Sequence, residues 1–382
     1  MNEVTRDDAT RNDITHGDLA RDDVAHDDRT GTLDEALERL HATGPERDGW
    51  LSNHAPMAVE ALVRHGQAPT VHRWLDHYRN NLEDMPGTSS AVTAENWHEA
   101  LGDPRRIADW TVYFERETAE RPWRDVLAEW WPRLLPGIAA GATHPAIRVG
   151  HAVRTLLTGT ASAPRITELA HGLGYWAARH QPLPPLIPLP PASSAAAALD
   201  AVPRVSEQSG GARDRLARLT GFPVWPQHSP VDPDEARTRL AELVRAATHR
   251  YLTHGYGEPI MLVHAATAPN AVLRVLPALP RALWAPSLDA AWAASAAVTA
   301  AYAPAEPAPY PHASPFTSAS VSPSASASES VTVSMTAEEV FARAAAHGDD
   351  HTIKFTDTAW DVGDATALAA ALRAIELNPP VR

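Results

Sequence analysis

The chain has 382 residues and a formal net charge of −14, with 33 basic against 47 acidic side chains and no cysteine. The acidic excess is not offset by a basic block or an Arg/Lys stripe, which argues against nucleic acid as a partner. Without cysteine there is no disulfide framework, thiolate ligand, iron–sulfur cluster or cysteine nucleophile. The abundance of alanine and leucine favours helix, so the expected fold is all-α or mostly α: a compact multi-helix domain with Pro/Ala-rich and Ser-rich insertions. The first residues are charged and lack an apolar signal region, and no uninterrupted apolar run approaches the ~18 residues of a membrane span. No membrane partner is expected, and a cytoplasmic location fits.

Residues 1–30 alternate Asp, Arg, Thr and His without apolar periodicity and read as a disordered, solvated tail. The folded helical domain is expected over 31–382, beginning at Thr32-Leu-Asp-Glu35, which has capping-box spacing. Asn53 or Ser52 can cap the next helix and Pro56 suits its first turn, which leaves His54 at the helix mouth. Trp97, Trp110, Tyr113 and Phe114 supply large apolar surfaces, read as core in preference to a substrate platform. A short helix over 121–132 should stop near its second proline.

Gly141-Ala-Thr-His-Pro-Ala-Ile-Arg-Val-Gly-His151 is the most informative stretch. Thr143 is a candidate cap, Pro145 starts a helix, and the spacing of seven puts His144 and His151 on one side of it. Each imidazole is then either part of a site or a hydrogen-bonding member of a helical core. His171 and Tyr175, four apart, can meet on the helix predicted over 165–180.

The proline-rich 181–191 should be extended, opening a low-complexity stretch to about 207 that either divides two lobes or crosses one domain. A strong helix follows from Asp232-Pro-Asp-Glu235. His264 interrupts the apolar run from Ile260, so burial demands a partner: a carbonyl, Asn270 or a metal. A further helix starts near Pro286, and 303–334 reads as a mobile low-complexity loop. Thr336-Ala-Glu-Glu339 has capping-box spacing, and His351 and Lys354 share a helical face beyond it.

His54, His144, His151, His264 and His351 therefore stand out, with no close Asp/Glu pair read beside them. Imidazole suits iron, zinc and copper, so a histidine-rich transition-metal centre is the sharp interpretation. Zinc there would mean a structural or hydrolytic role. A free Lys354 ammonium is a poor ligand unless neutralised or covalently modified. Dinucleotide and phosphate-loop glycine motifs are absent, as are His-Glu-x-x-His and Gly-x-Ser-x-Gly.

Ser52-Asn-His-Ala-Pro56, the stretch from Gly141 to His151, Glu168-Leu-Ala-His-Gly-Leu-Gly-Tyr-Trp176, Val263-His-Ala-Ala-Thr-Ala-Pro-Asn270 and His351-Thr-Ile-Lys354 together resemble the questin oxidase-like family, known best from fungal aromatic-polyketide pathways. The resemblance covers most of 32–376. It implies an oxygenase acting with molecular oxygen on anthraquinone-like or other polycyclic aromatic small molecules. Some members are described as NADPH-dependent Baeyer–Villiger-type oxidases, and another as a non-haem iron dioxygenase with four histidines and a carboxylated lysine. Carried to this chain, the iron description implies His54, His144, His264, His351 and carboxylated Lys354 as ligands, with His151 replacing one of them or orienting the others. It leaves His171 and Tyr175 as candidates for positioning substrate or relaying a proton, with core hydrogen bonding as the alternative. The competing readings are an NADPH-dependent monooxygenase without permanent iron and a non-catalytic helical small-molecule binding protein.

Overall fold

Helix runs through the described residues, 31–227, 232–309 and 335–381 of a computed structural model, and strand is confined to two short pairs. The tail expected over 1–30 and the 310–334 part of the Ser-rich stretch lie outside the described residues. Among the described residues the first helix, α1, covers 31–41, so Thr32 lies within it. It is followed by α2 (Ala55–Arg64), α3 (Ala68–Tyr78), α4 (Ile107–Glu120), α5 (Trp123–Leu134), α6 (His144–Thr158) and α7 (Ala163–Arg179). The second half comprises α8 (Pro233–His254), α9 (His264–Val275), α10 (Trp284–Tyr302), α11 (Ala337–His347), α12 (Asp350–Val362) and α13 (Ala365–Leu377). Glu46–Arg47 pairs antiparallel with Leu51–Ser52, and Ile187–Leu189, in the proline-rich stretch, pairs parallel with Gly221–Pro223.

Local chemistry accounts for the ends of these helices. Asn53 Oδ1 accepts from the Ala55 N–H at 3.0 Å as α2 begins, and Thr336 and Glu339 form the reciprocal capping box of α11. Asp349 caps α12 by accepting from the Thr352 N–H at 2.8 Å, and Gly348, at φ 81°, supplies the left-handed turn that ends α11. Thr143 does not act as a cap. Its φ of 70° is left-handed and its hydroxyl makes no capping bond. Helix α5 continues through Pro132 to Leu134, two residues past the expected stop.

One apolar cluster takes side chains from both sides of 181–207, with Trp110, Trp130, Trp131 and Trp176 fully buried in it. The aromatic residues are thus core, and Trp110, Tyr113, Phe114 and Trp130 meet mostly edge to face. At the centre lies α9, packed by α6, α8, α10 and α12. The segment Pro259–Ala278 is long and apolar enough to cross a membrane, yet 72% of its apolar window is buried inside the protein, as befits a core helix. Pro269 inside α9 cannot donate to the Ala265 carbonyl, and Ser295 of α10 donates to that oxygen instead, at 2.7 Å.

Helices α6 and α9 cross very closely at Gly150, where an added Cβ would stand 2.5 Å from the Ala271 Cβ. The contact lies about two turns beyond His144 and His264 and sets how near those rings come. Gly150→Ala is expected to cost about 1–3 kcal/mol by overpacking. Urea denaturation checks this, and an unchanged midpoint would contradict it.

Candidate metal centre

Four histidines converge from four helix starts. His54 directly precedes α2, His144 opens α6, His264 opens α9 and His351 is the second residue of α12. All four are buried. The His54 ring stacks on His144 with centroids 4.4 Å apart and meets His351 edge-on at 4.4 Å. His264 lies 4.4 Å from His144 and 5.3 Å from His351. Nitrogens of His54, His144 and His351 lie within 4.8 Å of one another.

The hydrogen bonds settle which nitrogens face inward. His144 Nδ1 lies 2.6 Å from the Gly141 carbonyl and His264 Nδ1 lies 3.0 Å from the Met261 carbonyl, the same three-residue backward reach on both helices. A carbonyl only accepts, so each Nδ1 carries the proton and each Nε2 presents a lone pair. Those two Nε2 atoms face each other at 2.9 Å. Two lone pairs at that distance repel, and a shared proton or cation removes the conflict. Burial disfavours the proton, since it and the neighbouring histidines hold both rings well below the ordinary 6.5. The His144 carbonyl partner is itself supplied by a strained turn in which Gly141, Ala142 and Thr143 all have positive φ, of 54°, 53° and 70°.

His54 and His351 are oriented by a carboxylate. Nδ1 of His54 donates to Asp350 Oδ1 at 2.6 Å, and Nδ1 of His351 lies 2.8 Å from the same oxygen. Burial alone would raise the Asp350 carboxyl, but the two imidazoles outweigh it and hold it well below the carboxylate range. Burial also brings His54 down to about 3 against the pull of Asp350, and leaves its Nε2 buried without a hydrogen bond. One turn along α12, Lys354 is 1% exposed and its Nζ likewise has no partner. Burial lowers this amine to about 8, with Asp350 pulling the other way. The donor set is thus four imidazoles, two of them backed by a carboxylate and two by backbone carbonyls, beside an unpartnered amine.

His151 does not join them. Its Nδ1 donates to Glu60 Oε2 at 2.7 Å and its Nε2 lies 3.4 Å from Arg274 Nη1, so both ring nitrogens are engaged. A spacing of seven does share a face with His144, but seven residues rise about 10.5 Å along the axis. His171 Nε2 instead bonds Glu115 at 3.0 Å, beside His41. The Tyr175 hydroxyl donates to Glu46 at 3.1 Å and pairs with Ser52 at 2.8 Å. Asn270, weighed above as a partner for His264, donates to Thr358 and Asp361.

The questin oxidase-like family model matches residues 51–358 and so spans all four histidines and Lys354. The chain belongs to the questin oxidase-like family. No curated protein gives a significant match. Questin oxidase-like membership makes the chain an enzyme of oxidase type. Within this questin oxidase-like chain, the residue that the sequence reading passed over is Asp350. Its signal was present: Asp349-Asp350 stands immediately before His351, although no acidic pair was read beside the histidines. Only the fold shows that Asp349 caps α12 while Asp350 turns inward.

Proposed function

We propose that this protein is a non-haem iron oxygenase that uses molecular oxygen to oxidise a polycyclic aromatic small molecule of anthraquinone-like type. The observation that carries the metal reading is the face-to-face approach of His144 Nε2 and His264 Nε2 at 2.9 Å, with both Nδ1 protons committed to carbonyls. His54, His144, His264 and His351 would hold the iron, with Lys354 as a fifth donor after carboxylation of its Nζ. Iron(II) held there supplies the one-electron steps through which triplet dioxygen reacts with a closed-shell aromatic ring. Imidazole donors suit iron, and no thiolate competes, since the chain has no cysteine.

The protein's own groups have defined tasks in this reading. Asp350 and the carbonyls of Gly141 and Met261 hold His54, His144 and His264 in the tautomer with Nε2 unprotonated, and the Asp350 carboxylate lies 2.8 Å from His351 Nδ1. Lowered to about 8, Lys354 has an accessible neutral amine, and its nitrogen lone pair can attack carbon dioxide to give a carbamate with release of one proton. The carbamate and the Asp350 carboxylate together balance the two positive charges of iron(II), so the buried centre is neutral overall. The substrate class rests on family membership.

The test is anaerobic loading with iron(II) in the presence of bicarbonate, followed by oxygen uptake with hydroxylated anthraquinones. Uptake stoichiometric with iron-dependent product, labelled from ¹⁸O₂ and formed without NADPH, is the expected result. Turnover by metal-stripped protein with NADPH would instead establish the monooxygenase alternative. No turnover across the substrate series by iron-loaded protein would favour a binding role.

A further inference from the structure

We infer that Asp350 is the positioning residue of this centre and that it divides the four histidines into two functionally unequal pairs; the inference rests on the metal-dependent reading above. A single oxygen, Asp350 Oδ1, receives Nδ1 of His54 at 2.6 Å and lies 2.8 Å from Nδ1 of His351. These two rings belong to different helices and stand 86° apart in plane, so one carboxylate oxygen fixes the tautomer and rotation of His54 through a hydrogen bond and stands in charge contact with His351. The Asp350 side chain is itself only 8% exposed, and its helix is held in place by the separate cap at Asp349. Its carboxylate therefore serves the imidazoles and is not needed to start the helix.

His144 and His264 rest on neutral carbonyls. A hydrogen bond to an anion is stronger than one to a neutral carbonyl and pushes more electron density to the far ring nitrogen. His54 is thereby the strongest donor, His351 shares the same carboxylate by charge contact, and the carbonyl-backed pair is the weaker. Metal affinity should be concentrated in the carboxylate-backed pair.

Cobalt(II) is a suitable probe because its affinity can be read by competition with a chromophoric chelator, and its visible ligand-field spectrum reports donor strength. Asp350→Asn keeps the size and one acceptor oxygen while removing the charge. It is expected to weaken cobalt affinity about 10–100-fold and to shift the ligand-field bands, which a residue that only supports the fold would not do. A second comparison leaves Asp350 intact: His54→Ala should lose at least tenfold more affinity than His144→Ala. Wild-type affinity and spectrum in Asp350→Asn, or equal losses in the two histidine variants, would overturn the inference while leaving the metal centre standing. Failure of the wild-type protein to bind cobalt would overturn both.

Discussion

Asp357→Ala is expected to destabilise the folded protein by about 3–5 kcal/mol, the cost of stripping one partner from a buried ion network. The Asp357 side chain is fully buried and accepts from Arg64, His65, Arg154 and Arg274 at 2.7–3.1 Å. Arg154 also binds Glu60, and Arg274 also binds Asp361. Removal of Asp357 leaves two interior guanidiniums short of counter-charge. Burial opposes ionisation of Asp357, but Arg154 and Arg274 overcome it and hold the carboxyl well below its ordinary range. Glu60 lies on α2, Arg154 on α6, Arg274 on α9 and Asp357 on α12, so the network ties together the same four helices whose starts carry the histidines. Urea denaturation of metal-free protein measures the loss, and a change under about 1 kcal/mol would mean that solvent or neighbouring carboxylates compensate.

Lys354→Met should move stability and activity in opposite directions. In metal-free, uncarboxylated protein the buried ammonium is disfavoured, since its value falls from 10.5 to about 8. That difference corresponds to about 3 kcal/mol at neutral pH, and a methionine of similar length should recover a good part of it. The pH dependence has a definite sign. Between about 8 and 10.5 the unfolded chain holds a proton that the folded one has released, so the stability of the metal-free protein rises with pH across that window. In Lys354→Met this rise should vanish. Turnover of the iron-loaded variant should fall at least about 100-fold, the upper range for residues that merely support a metal ligand. Denaturation at pH 7 and pH 10 together with oxygen uptake checks both parts, and a variant that is less stable yet fully active would exclude Lys354 as a donor.

The helices were legible because their signals are local. Capping spacing at Thr336, proline near the starts of α2 and α6, and apolar periodicity are all read within a few residues. The five side chains at the centre are implied as a set by the family resemblance, and only at His264 does the surrounding apolar run itself demand a partner. Periodicity reports the face of a helix and says little about axial position, so His144 and His151 looked equivalent although they enter different clusters. His65 stands in a strongly polar stretch of sequence, yet its side chain packs against Asp357, Phe341 and Trp360. The ion network and the Asp350–His54 bond join residues from distant helices, and no local pattern in one chain announces such pairings.

The central claim is tested most directly by diffraction from crystals of protein loaded anaerobically with iron(II) and bicarbonate, with data collected on both sides of the iron absorption edge. The account predicts one anomalous peak per chain among His54, His144, His264 and His351, with density extending from Lys354 Nζ. Four histidines without metal at full iron occupancy elsewhere, or a lysine ending at a bare amine, would contradict it.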